Sequence, residues 1–540
     1  MHVRLEVPGS VAQLILILGL AIPTAHAQVS EEWVARYASA TSWNDIPYAM
    51  TVDAAGHVYV TGTAATSSGG NDWATIKYNA AGVQQWLRTL DGGGSDAAVA
   101  IKTDDAGNVY VTGSSAGGLY SMTAKYNAAG DRLWIQSFTT IGEGDAGVDL
   151  ALDPAGNVYV TGYNVETVTG FDIITIKYSP GGVEQWVRRY DAGNGEDVPA
   201  AIGCDASGIY VTGRSGGNFT TIKYDFNGVQ QWVRNYNGGF GSDAPADLVV
   251  DAAGNIYVTG QSTGSGTNVD YATIKYDAAG TQQWVRRYDG PTTVLASDYD
   301  RAAALAVDAN GNVFVTGNSS DDFATVKYSA AGTEMWVRRY NGPAAGGDWA
   351  TSIAVDGSGN SYVSGSSYGN STTQYDFATL SYDPSGAVRW TERYNGPANF
   401  YDTPYGVAVH SSGDVYVGGS SGGSGTSDDY TTIKYSPEAT TSVPSRQDER
   451  RSALALRSDP NPFTPLTRIR FTIPPGTGRE HVRLAVYDVR GQEVALLVNE
   501  VLAPGTYERE LNGKRLAAGV YWSRLQTRGL SETRKMIRVR

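Results

Sequence analysis

One unit of sequence recurs eight times in this chain, and that recurrence limits the fold more than any other feature. A clean copy runs from Asp251 to Tyr288: DAAGNIYVTG, then QSTGSGTNVD, then YATIKYDAAGTQQWVRRY. The glycine that closes each YVTG-like segment falls at Gly62, Gly113, Gly162, Gly213, Gly260, Gly317, Gly365 and Gly419. The matching tryptophans are Trp33, Trp86, Trp134, Trp186, Trp232, Trp284, Trp336 and Trp390. The spacing wanders while the strand-like runs stay constant, so the variation is in loops. A period of this length belongs to propellers and solenoids.

Each unit holds four short runs rich in Val, Ile, Thr, Tyr and Trp, named here strands a to d: AIAVD, NVYVTG, ATIKY and WVRRY. D-x-x-G-N joins a to b, and the similar Y-D-A-A-G joins c to d. Asp opens such a turn and Gly takes positive φ at its end, so both read as tight hairpins. Four antiparallel strands per repeat make one propeller blade. The ends of the array are complementary. It starts with an orphan strand d, Trp33–Tyr37, and stops at an orphan strand c, Thr431–Tyr435, where Ser436-Pro437 replaces the c–d turn. The expected fold is all-β: a closed β-propeller of eight four-stranded blades over residues 28–437, with the N-terminal strand completing blade eight and removing exposed edges.

The formal net charge of −14 hides an asymmetry. Residues 441–540 carry 18 basic and 10 acidic residues, and the rest of the chain 23 basic and 45 acidic, so a tail of net +8 follows a body of net −22. An acidic body argues against nucleic acid as a partner. Residues 1–27 read as a signal peptide: Arg4, the apolar run VAQLILILGLAIP, then Ala25-His26-Ala27 fitting the A-x-A cleavage rule. No later segment could span a membrane as a helix. The lone cysteine, Cys204, excludes an internal disulfide and reads as a small buried residue.

The repeat unit, DxxGNVYVTG…DYATIKYDxxGxxxWVRRYNGP, is similar to a bacterial β-propeller repeat family named for seven-bladed propellers, although eight units are counted here. That resemblance implies a propeller in an extracellular setting and no common reaction. After a polar linker at 438–457, residues 458–540 change character, with alternating strands between Gly and Pro turns that suit a small immunoglobulin-like β-sandwich. This end resembles the type A C-terminal sorting domain of the type IX secretion system. The resemblance rests on Asn461-Pro462-Phe463, the VYDVRGQEV run with Gly491, the LAAGVYW run with Gly519 and Tyr521, and the basic end from Lys535. It implies export across the outer membrane of a Gram-negative, Bacteroidota-like bacterium, the secretion machinery as partner, removal of the domain, and attachment to surface lipopolysaccharide or release.

No catalytic constellation emerges. His2 and His26 leave with the signal peptide, His57 replaces a turn Asn, His410 replaces a turn Asp, and His481 stands alone. Nothing matches G-x-S-x-G, H-E-x-x-H or a P-loop, and no Cys/His cluster suits a metal. The D-x-x-G-N turns lack the alternating oxygens of a calcium loop, so no cofactor is expected.

Aspartate is the repeated acidic feature. Asp45, Asp96, Asp145, Asp197, Asp243, Asp300, Asp348 and Asp402 precede strand a, and Asp72, Asp172, Asp270, Asp322, Asp376 and Asp429 precede the strand-c lysines. Buried charges need partners, so pairing between blades is expected of them. The strand-c aromatics Trp73, Phe219, Tyr271, Phe323, Phe377 and Tyr430 should pack between blades.

The b–c and d–a loops share the variable face, where binding lives on a rigid scaffold. A glycan or protein ligand is expected there, near the eight-Asp ring and the unrepeated Trp43, Trp73 and Trp349. The leading reading is a noncatalytic secreted or cell-surface binding scaffold. The alternative is an extracellular polysaccharide-active enzyme at the channel mouth, for which Arg214 and Arg301 are isolated candidates.

Overall fold

A computed structural model describes residues 29–437 and 455–539, except 42, 68, 140–143, 167–169, 194, 240, 265–267, 292–298, 345, 371, 424, 474–478, 489–491 and 528–529. The signal peptide with its cleavage site, most of the linker, and Gly491 lie outside the described residues. Contacts divide the chain into two units, Met1–Glu438 and Ala439–Arg540. Apart from a single 3-10 turn at Gly513–Arg515, the described residues form strands and loops only.

The first unit contains eight four-stranded antiparallel sheets among the described residues. Seven take four consecutive strands each, from Ile46–Val52, Val58–Ala65, Asn71–Tyr78 and Gln84–Leu90 in the first to Val388–Tyr394 at the end of the seventh. The eighth joins both ends of the unit. Its order is Asp402–Val409, Val415–Gly422, Asp428–Pro437 and then Val29–Tyr37. Val34 pairs with Ile433, Tyr37 with Tyr430, and the pairing runs out to Val29 with Pro437. The first strands of the eight sheets pack in succession, and Asp402–Val409 also packs on Ile46–Val52.

Each sheet is covered on both faces, so strands b and c are almost continuously buried, as in Val58–Ala65 and Asn71–Tyr78. Apolar clusters bridge neighbouring sheets; one joins Tyr59, Trp73 and Trp86 of the first to Ile101, Val111 and Tyr126 of the second. The a–b turns are pinned by their opening aspartate. Asp251 Oδ1 accepts the N–H of Ala253 and of Asn255, each at 2.9 Å, and Oδ2 accepts Asn255 Nδ2 at 2.8 Å and the Tyr257 hydroxyl at 3.0 Å. Burial raises the Asp251 pKa, but these donors outweigh it and hold the carboxyl below its ordinary value. His57 takes over the Asn role, with Nδ1 2.8 Å from Asp53 Oδ2. His410 bonds Ser412 Oγ at 2.7 Å through Nδ1 and the Ala54 carbonyl at 3.0 Å through Nε2.

The c–d turns meet the next sheet. Gly280 has φ +77°, and a Cβ there would also fall 2.8 Å from the Trp232 ring, so glycine is required twice over at this point.

Among the described residues the second unit holds seven strands in two sheets. One has the order Ala455–Asp459, Leu466–Ile473, Gly505–Asn512; the other Glu493–Leu502, Glu480–Asp488, Gly519–Thr527, Leu530–Arg538. Ile469, Phe471, Val482, Leu484, Leu525 and Met536 share one core. The first strand corrects the expected linker boundary, since it begins at Ala455, inside the 438–457 span. The reason is Leu456, which is fully buried in that core beside an exposed Arg457 that disguises it.

The eighth sheet generates a prediction. Deleting residues 29–37 leaves Asp428–Pro437 as an unpaired edge, so the truncated protein should aggregate or lose stability heavily. Size-exclusion chromatography and thermal melting check this; a monomer with an unchanged Tm would refute it.

Candidate ligand-binding face

All eight strand-a aspartates are buried, and seven of them accept backbone N–H groups of the preceding loop. The Asp45 carboxylate accepts Ser39 N–H at 2.5 Å and Ala65 N–H at 2.8 Å; Asp96 accepts Gly92 N–H at 2.6 Å and Ala116 N–H at 2.7 Å. Asp197, Asp243, Asp300, Asp348 and Asp402 accept the N–H of Ala192, Gly238, Gly290, Gly342 and Gly396. Asp145 opens its strand in the same buried position. A buried carboxylate thus closes seven of these loops.

The expected pairing of the strand-c charges between sheets is also corrected. The Asp partner is an arginine on strand d of the same sheet: Arg36–Asp429 at 3.0 Å, Arg287–Asp270 at 2.7 Å, Arg339–Asp322 and Arg393–Asp376 at 2.8 Å, and Arg189–Asp172. The strand-c lysines instead cross to the next sheet and donate to a turn carbonyl, as Lys275 does to Ala330 at 3.2 Å.

Three carboxylate groups have ligand atoms within 4.8 Å of one another: Asp72/Asp91/Asp96, Asp172/Asp191/Asp197 and Asp270/Asp289/Asp300. Oxygen-only sets suit hard cations, but a guanidinium already sits at the second and third, Arg189 against Asp172 and Asp191 and Arg287 against Asp270. In the first, Thr89 stands where the arginine would be, and burial followed by repulsion from Asp91 and Asp96 raises the Asp72 pKa.

The three singled-out tryptophans part company. Trp73 is corrected to core: it is 1% exposed and its Nε1 donates to the Ser114 carbonyl at 2.8 Å. Its equivalents in other sheets, Phe219, Tyr271, Phe323, Phe377 and Tyr430, are likewise buried. Trp43 is 68% exposed and has no ring partner among the described residues. Trp349, 39% exposed, heads an aromatic row. Its ring stacks on Tyr375 (centroids 4.8 Å, planes 26° apart), Tyr375 stacks on Tyr401 (5.5 Å, 17°), and Phe400 meets Tyr401 edge-on at 4.7 Å. Phe400 and Tyr401 are exposed. Trp349 lies on strand a of the seventh sheet, Tyr375 at the start of its strand c, and Phe400 and Tyr401 in the loop leading to the eighth. The b–c and d–a loops therefore share this side. The rule that picked Trp349, an unrepeated aromatic in a variable loop, finds the other three when applied to Tyr and Phe.

Charged departures from the repeat also occur on strand a, where sequence reasoning missed them. Asp149 and Asp247 stand where sister repeats carry Ala, Ser or Gly. Their Oδ2 atoms accept Ile202 N–H at 3.0 Å and Leu305 N–H at 2.9 Å from the next first strand. Burial raises both pKa values, with Lys102 pulling the other way. Arg214 pairs with Glu196 at 3.1 Å, and Arg301 lies over the Tyr299 ring at 5.3 Å. Burial pushes the Cys204 thiol up to about 11, and its Sγ donates to the Leu152 carbonyl at 3.0 Å, so the thiol is held in its protonated form.

In the second unit the sorting-motif side chains hold the fold. Asn461 donates through Nδ2 to the Lys535 carbonyl at 3.0 Å and accepts Ile537 N–H at 2.8 Å. Pro462 follows Asn461 through a cis peptide bond. Phe463 is buried and its backbone bonds Ile537 and Val539. Gly519 opens the strand that carries Tyr521, whose hydroxyl donates to Ala517 at 2.8 Å.

Residues 460–539 match the secretion system C-terminal sorting domain, and residues 336–371 match the beta-propeller repeat. The chain carries a type IX sorting domain. It is a secreted or cell-surface protein of a Bacteroidetes-type bacterium. No curated protein matches it. Similar solved structures include PorZ, an essential surface component of the type-IX secretion system of Porphyromonas gingivalis, at 15% identity over 90% of this chain and 64% of that one, TM-score 0.40. This chain thus spans less than two thirds of PorZ. A Lactobacillus plantarum protein aligns at 13% identity over 75% of this chain and 99% of that one, TM-score 0.40. Prolyl oligopeptidase B from Galerina marginata, bound to a 35mer substrate, aligns at 12% over 72% and 55%, TM-score 0.40.

Two predictions follow from these contacts. Burial raises the Asp402 pKa to about 6, against the N–H of Gly396 and the Ser421 hydroxyl, which lower it. The folded state therefore keeps a proton that the unfolded chain releases near pH 4. Stability from this group is full below about pH 4 and lost as pH rises through about 6. Relative to wild type, Asp402→Asn should gain on the order of 2 kcal/mol in urea unfolding between pH 4 and 7; a flat difference would refute it. Removing residues 455–540 should keep the remaining chain inside the cell envelope, as read by protease accessibility on intact cells; normal surface display would overturn the export assignment.

Proposed function

We propose that the N-terminal unit is a closed, eight-bladed β-propeller acting as a noncatalytic binding scaffold, delivered outside the cell by its immunoglobulin-like sorting domain. The completion of the eighth sheet by Val29–Tyr37, and its packing on the first sheet, support the ring. The aromatic row Trp349–Tyr375–Tyr401–Phe400 carries the binding reading. Large aromatics with few rotatable bonds supply contact area at low entropic cost, and Trp and Tyr dominate interface energies. The rings stack on one another, so the inner ring faces are already occupied. That geometry suits a protein surface better than a sugar ring lying flat. Asp149 and Asp247 are each tied to a backbone N–H group, which leaves them an architectural role.

The test is to screen the mature chain against a glycan array and a panel of host and neighbour surface proteins. Trp349→Ala and Tyr401→Ala should each weaken a captured ligand by about tenfold or more. Asp277→Ala, in a c–d turn on the opposite side, should not. Binding that survives both aromatic changes in a folded protein would overturn this reading, and a hit confined to glycans would replace the protein ligand.

A further inference from the structure

Seven tryptophans on strand d are clasped onto the c–d turn of the next sheet. Each Nε1 donates to the carbonyl of the second turn residue: Trp33 to Ala80, Trp86 to Ala128, Trp134 to Pro180, Trp186 to Phe226, Trp232 to Ala278, Trp284 to Ala330 and Trp336 to Pro384, at 3.0 to 3.4 Å. In six of them the strand-c lysine donates to the same carbonyl, as Lys327 does to Pro384 at 3.0 Å. The turn glycine lies flat on the indole; a Cβ on Gly386 would come within 2.8 Å of the Trp336 ring. One carbonyl thus takes two donors, one of them cationic, over a glycine that only an indole face can meet.

The eighth tryptophan breaks the series. Beyond Trp390 lies the sheet completed by the N-terminal strand, and it has no c–d turn. Ser436 and Pro437 continue as strand instead, paired with Ser30 and Val29. Trp390 is still buried, at 8% exposure, and its ring still contacts Tyr362 and Tyr435 at 6.0 Å. Its Nε1 has no acceptor among the described residues.

The cation has been kept but moved. The strand-c lysine of this sheet is Ser381, and Arg389, next to Trp390, places its guanidinium 5.9 Å over the Tyr362 ring. Lys275 lies over Tyr257 in the same way, at 5.1 Å. Arg389 Nη1 donates to the Tyr362 hydroxyl at 3.0 Å and to Ser381 Oγ at 3.1 Å. Its Nε and Nη2 have no acceptor among the described residues. Above the pair the surface opens into a cavity of about 620 Å³, lined by Tyr362, Arg389, Trp390, Val409, His410 and Pro437.

We propose that this cavity is an unmatched copy of the clasp, and that it binds a tight, glycine-bearing turn of the form Asp-x-x-Gly presented by another protein. The turn's second carbonyl accepts from Trp390 Nε1 and Arg389, its glycine lies on the indole, and its opening aspartate faces the guanidinium. Seven filled clasps in the same molecule set the indole contact and the shape of the occupant. Five of them add an arginine two residues beyond the tryptophan, as Arg338 donates to the Gly386 carbonyl at 2.5 Å, where this site has Glu392, so the copy is of the indole and lysine contacts alone. The site lies on the c–d turn side, away from the aromatic row, and does not depend on the reading given for that row.

The probe is a disulfide-closed peptide with the sequence of residues 382–388, YDPSGAV, the turn that Trp336 grips. It is titrated into the mature full chain, and the tryptophan indole N–H signals are followed by NMR. Trp390→Phe, which keeps the ring and its burial, identifies the Trp390 signal. That signal should shift with a dissociation constant in the millimolar range or below. Trp390→Phe and Arg389→Gln should each weaken binding by about tenfold, and Trp349→Ala should leave it unchanged. A peptide with valine for the glycine should not bind. No shift at about 5 mM peptide, equal binding by the valine peptide, or an indole proton already protected from exchange in the free protein would each overturn the proposal. The last result would mean that the chain fills the clasp itself.

Discussion

The rest of the first unit depends on one contact, the indole of strand d lying against a glycine in the next sheet's turn. A sheet buried on both faces cannot reach water to satisfy its polar groups, so each must be bonded within the stack. The clasp does this at the point where two sheets meet. The indole supplies apolar area and a donor, and the lysine brings a charge whose stem is buried and whose head finds a carbonyl. Neither partner works without a turn that has no Cβ, which is why the c–d glycine tolerates no substitute while neighbouring loop residues drift. Repetition then turns a modest contact into a scaffold, because six of the sheets are both donor and acceptor.

Much of this was legible in the sequence. The strand-b and strand-c runs, the two turn types and the orphan strands at either end all appear as pattern, since burial on both faces and positive-φ glycine leave marks on residue type. The pairing of the charges was legible in type but not in direction. Strand-c aspartate and the second arginine of WVRRY occur together in the sheets containing Arg36, Arg189, Arg287, Arg339 and Arg393, and both are missing where Tyr120 and Ser137, or Asn218 and Asn235, replace them. That joint loss points to a partnership within one sheet. The lysine is nearer in sequence and obscured it. Only the first sheet separates the two, keeping Asp72 opposite Thr89.

The candidate face was legible in part. Trp349 and Trp73 are equally unusual as residue types, yet one is exposed and the other is core. Position along the strand decides between them. Trp73 sits two residues inside strand c, where every sister residue is covered by the next sheet, whereas Trp349 sits beside the buried Asp348 at the open start of strand a. The aspartate ring has a related explanation. A residue present in every repeat solves a problem common to every repeat, and here that problem is a loop N–H that the buried carboxylate accepts.

The informative positions in such a protein are therefore those where a repeat departs from its sisters and no neighbour explains the departure. Asp149 and Asp247 depart, but a backbone N–H on the following strand explains each one. Thr89 departs from the arginine that pairs with this aspartate in five sister sheets, and burial and then Asp91 and Asp96 raise the Asp72 pKa. Arg389 differs from both. It restores a positive charge that Ser381 gave up, next to an indole whose acceptor the chain no longer provides. Had the clasp at that sheet lost its purpose when the turn disappeared, nothing in the physics of the sheet would hold a cation and an indole N–H side by side at a cavity wall. Burial of the ring alone would be served as well by Phe, with no polar hydrogen to satisfy and no guanidinium to desolvate.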